Sequence, residues 1–94
     1  MTAITFKQST SSNEPPSNLS VHLQALWYDA KDNWEKAHTL IQDAEDKNAA
    51  WIHAYLHRKE GDTWNADYWY RRAGKQRPAV DLDTEWEEIV TALF

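Results

Sequence analysis

Two histidines four residues apart, His53 and His57, are the best candidates for chemistry in this 94-residue sequence. At that spacing both lie on one face of a helix, where two neutral imidazoles can share a metal ion. A third ligand has to come from elsewhere, and His22, His38 and Glu60 are the candidates. Ala54 follows His53 where the zinc-protease pattern requires Glu, so the spacing does not spell that active site. No Ser/His/Asp spacing or paired-carboxylate pattern points to nucleophilic or general acid–base catalysis, so no catalytic residue is assigned and the reading leans away from an enzyme. There is no cysteine, which removes disulfides, thiolate metal sites and cysteine nucleophiles. As packing residues the two histidines are expected to be hydrogen-bonded and partly buried, near Tyr28 or the Tyr68–Tyr70 segment, with no cofactor.

A second cluster combines aromatics with cations. Trp64 and Tyr68, flanked by Arg71 and Arg72, fall on a different side of their helix from Ala66, Trp69, Tyr70 and Ala73. A helix apolar on two faces needs two neighbours. The final helix is the expected second one, which would place Trp64 and Tyr68 in the core; left uncovered, they form a binding face for a protein or peptide. Aromatics beside arginines also suit base stacking, but the net charge of −5 and the lack of a sustained basic stripe make nucleic acid an unlikely partner. Charge is unevenly distributed: residues 47–77 carry +4, residues 78–94 carry −5, and residues 1–46 carry −4. Opposite signs on neighbouring segments suggest that the acidic end docks back on the basic middle.

The elements that must position these residues are helical. No proline lies between Ser17 and Arg77, and the sequence holds only two glycines. Six Trp, four Tyr and two Phe compensate for the few core positions of a short chain, since one aromatic buries roughly 150–250 Å². Residues 1–17, polar and carrying Pro15 and Pro16, are expected to be a disordered tail, with a single all-helical domain over 18–94. Apolar spacing predicts helices over about 19–31, 32–46, 48–60, 62–74 and 83–93. Asp32 with Glu35, and Thr84 with Glu87, have the form of capping boxes. Gly61 and Gly74 serve as helix stops.

An offset of 29 residues brings Ala25 onto Ala54, Leu23 onto Ile52, Ala37 onto Ala66 and Ala44 onto Ala73, and it brings Asp32-Asn33 onto Gly61-Asp62. Small residues at matching points let two helices approach closely. The pattern resembles the tetratricopeptide repeat: Ala25, Tyr28, Ala37, Ile41 and Ala44 in one unit, then Ala54, His57, Ala66, Tyr70, Ala73 and Pro78 in the next. It departs from that motif in its shorter period, in Val21 and Ala50 where Trp is common, and in His57 where an aromatic is usual. The wording is also similar to small bacterial proteins of about this length, which supply no activity. The resemblance implies an all-α fold of two antiparallel helix hairpins, about 19–46 and 48–74, in a right-handed stack closed by a C-terminal capping helix over about 83–93.

No apolar run reaches the ~18 residues needed to cross a bilayer, and the first residues lack the features of a leader, so a cytoplasmic location is expected. The function that the resemblance implies is a small intracellular protein-interaction module, an adaptor or a self-associating subunit. Trp27, on a flank of the first repeat helix that no earlier repeat covers, would join Trp64, Tyr68, Arg71 and Arg72 in binding, and a homodimer is expected on that account. The alternative is a metal- or small-ligand-binding protein centred on His53 and His57.

Overall fold

Six helices and no strand make up the computed structural model, which describes residues 1–94: α1 Ala3–Ser9, α2 Val21–Ala30, α3 Trp34–Ile41, α4 Lys47–Lys59, α5 Thr63–Arg72 and α6 Leu82–Leu93. Three-residue links fold α3 back on α2 and α5 back on α4, and these two pairs make the most extensive helix contacts. α4 lies at the centre, touching α2, α3, α5 and α6. The radius of gyration, 12.3 Å, matches the ~12 Å of a compact chain of this length. No helix is long and apolar enough to cross a membrane.

The 29-residue offset is realised atom for atom at the two links. Asp32 (φ 60°) and Gly61 (φ 85°) both take the left-handed conformation, open to Gly and tolerated by Asp. The next residue caps the following helix in each case: Asn33 accepts a hydrogen bond from Lys36 N, and Asp62 accepts one from Asn65 N. Backbone bonds repeat as well, Asn33 N to Tyr28 O and Asp62 N to His57 O, both at 2.9 Å. Ala25, Ala37, Ala54 and Ala66 are all fully buried where the helices meet. The expected cap at Asp32 is therefore displaced by one residue, because Asp32 is consumed by the turn.

Other boundaries also differ from the sequence expectation. α3 ends at Ile41 rather than near 46, since Asp43, Glu45 and Asp46 would sit against the negative end of the helix dipole. Asp46 instead caps α4, accepting from Ala49 N at 2.7 Å. α6 begins two residues before Thr84, capped by Asp81, which accepts from Thr84 N at 2.8 Å.

The largest difference is at the N-terminus, where disorder was expected and a helix stands. Thr2 and Thr5 cap α1 reciprocally. Phe6 supplies the apolar payload, fully buried, with its ring stacked on Trp86 at 6.0 Å and 5.9 Å from Phe94. Lys31 then ties down the segment that follows, donating to Thr10 O and Ser12 O, both at 2.9 Å. A buried aromatic and a few polar ties anchor a stretch whose average composition is polar.

Candidate functional site

The helical spacing of α4 does bring His53 and His57 onto one face, their rings stacked at 4.9 Å. α3 adds His38, whose Nε2 lies 3.0 Å from His53 Nε2. One nitrogen atom from each of the three histidines lies within 4.8 Å of the others. His53 and His57 are buried and His38 is half-buried. Indoles bracket the cluster: Trp69 of α5 stacks on His53 at 3.9 Å, and Trp34 of α3 stacks on His38 at 4.8 Å. His57 Nδ1 is 2.8 Å from Glu60 Oε1. Of the three third-ligand candidates, His38 faces the pair directly and Glu60 touches His57 from behind. His22 does not join them: its Nε2 is held by the Asp46 carboxylate at 2.9 and 3.0 Å.

Burial lowers the His53 pKa to about 3, helped by the neighbouring His38 and His57 rings. Burial also lowers that of His38, with His57 adding to the effect and Glu60 opposing it. His53 is thus a neutral imidazole at neutral pH, the form that offers a lone pair.

The aromatic–arginine cluster lies at the surface. Trp64 is 76% exposed and Tyr68 37% exposed, their rings nearly parallel (13°) with centroids 6.5 Å apart. Arg72 lies over the rings of Tyr68 (5.8 Å) and Trp69 (5.2 Å) and donates to Tyr68 Oη at 3.2 Å; Arg71 is exposed. The expectation that α6 would cover this face is corrected: α6 packs on α2 and α4. The placement follows from Trp86, whose Nε1 donates to Leu26 O of α2 at 3.0 Å, and from Glu85, which reaches into α4 and α5. Trp27 also departs from expectation. It is 1% exposed and donates from Nε1 to Ser9 O at 3.3 Å, so the flank on which self-association was expected is covered by the N-terminal segment.

Two buried carboxylates were not among the residues singled out in the sequence. Glu85, 0% exposed, accepts from Tyr70 Oη (2.6 and 2.9 Å), from Trp51 Nε1 (3.2 Å) and from Arg58 (2.8 Å). Asp29 accepts from Tyr55 Oη (2.8 Å) and Lys59 Nζ (2.9 Å). No buried side-chain polar atom is left without a partner. Each carboxylate sits in its helical stripe where an apolar residue would otherwise be expected, which in retrospect is the one trace it leaves.

No protein-family model matches the chain, and no curated protein and no solved structure is detectably similar to it.

Proposed function

We propose that this chain is a tetratricopeptide-like interaction module, two hairpins in a right-handed stack, that holds an acidic segment of a partner protein on the exposed face of α5. The observation that carries the reading is the uncovered tier of Trp64, Tyr68 and Arg72. Trp, Tyr and Arg are the residues in which binding energy concentrates at protein interfaces. Arg72 is already ordered over two rings, so less freedom is lost when a ligand engages it. Neither Arg71 nor Arg72 takes part in any ion pair of the fold, which leaves both for carboxylates of a partner. The ladder of matched turns supports the repeat reading, and repeat proteins present such faces for binding.

The test is selection of peptides from a displayed library on the full chain, followed by titration of the winners. Winners should pair an apolar or aromatic residue with Asp or Glu. Trp64→Ala and Arg72→Ala should each weaken binding about tenfold or more while changing the melting temperature little, since both side chains are exposed. Winners that bind the two variants as well as the parent would overturn the proposal.

A further inference from the structure

We propose that His38, His53 and His57 form a divalent-metal site of the zinc type, with Glu60 orienting His57 from behind. This goes beyond the interaction face and stands on separate atoms. Tetrahedral zinc at the usual ~2.0–2.1 Å from each imidazole nitrogen separates its ligands by roughly 3.3 Å. His38 Nε2 and His53 Nε2 are 3.0 Å apart, within a few tenths of an ångström of that edge. One nitrogen of His57 lies within 4.8 Å of both.

The His57 tautomer favours ligation. Glu60 accepts a hydrogen bond from His57 Nδ1, which leaves the lone pair on Nε2. A carboxylate on the far nitrogen of a ligating histidine fixes its ring and raises its basicity. Half-buried His38 offers the way in, and the fourth position is left for water. A rival set of His57, Glu60 and Asp62 is less suited. Both carboxylate oxygens of Asp62 are engaged by Asn65, one at its backbone N–H and one at its side-chain amide. Three imidazoles and no thiolate suit zinc, nickel or copper(II) rather than calcium or magnesium.

The experiment uses the full chain after chelator treatment and dialysis, with zinc chloride as the probe. Equilibrium dialysis should find one zinc per chain, and cobalt(II) in its place should give the intense visible bands of a tetrahedral site. A hundredfold excess of zinc over its Kd should raise the melting temperature by about 10 °C or more. His38→Gln, at a half-exposed position, should fold and lose the rise, whereas His22→Gln should keep it. Glu60→Gln should retain the tetrahedral spectrum with affinity lowered by roughly 10–100-fold. A folded parent chain that binds no zinc at micromolar concentration, or a His38→Gln chain that binds as tightly as the parent, would overturn the proposal. Peptide binding at Trp64 and Arg72 is read separately, so failure of one proposal does not imply failure of the other.

Discussion

Glu85 joins three elements through one buried carboxylate. Its carboxylate gathers Arg58 from α4, Tyr70 from α5 and the Trp51 indole, and the same Arg58 also donates to Val80 O. Removing one partner of a buried pair strands the other, at a cost of about 3–5 kcal/mol. Urea unfolding of Glu85→Ala should show a loss of that size, a large part of the whole stability of a small domain. The tyrosines beside the two carboxylates predict alkaline sensitivity. Burial, then the Asp29 carboxylate, pushes the Tyr55 phenol well above its ordinary 10; burial, then the hydrogen bond to Glu85, does the same for Tyr70. Below pH 10 both phenols are protonated in either state, so their contribution is fully present. Above it the unfolded chain releases protons that the folded chain retains, and stability falls as pH rises. Melting temperatures from pH 8 to 12 should decline steeply in the parent chain and less in the Tyr55→Phe, Tyr70→Phe double variant. The histidines were legible in the sequence because helical spacing alone aligns them. Glu85 was not, because a carboxylate in an amphipathic stripe reads as solvated until residues 15 to 34 positions away arrive to meet it.

Among the elements, the helical class was legible, and the 29-residue offset pointed to the buried small residues and the matching turns. What eluded the sequence is how the outer helices are arranged around them. α1 was masked by its polar average, and α6 was expected over Trp64 and Tyr68, whereas one buried ion pair and one indole seat it on α4 and α2. α1 therefore has a measurable structural role. Phe6→Ala opens a cavity between α1 and α6 and uncovers Trp86, and should cost about 3–5 kcal/mol. Thermal melts would register this, and a variant indistinguishable from the parent would mean that the N-terminal segment is not anchored.

The molecule as a whole divides into local and distant contacts. Within each hairpin the paired helices are joined by three residues, whereas α1 meets α6 through residues 80 apart, at Lys7 and Glu87. Closing a long loop costs more entropy than closing a short one, and it is recovered only when the ends have met. The distribution of contacts thus has a kinetic meaning. The hairpins are expected to form on the way to the folding barrier, and the α1–α6 closure after it. Stopped-flow refolding should then slow when Ala37 or Ala66 is enlarged within a hairpin. Phe6→Ala and Trp86→Ala should leave the refolding rate nearly untouched and accelerate unfolding instead. The seam between the first and last helices would then act as a latch on the native state, setting how long a folded molecule persists rather than how quickly it is made.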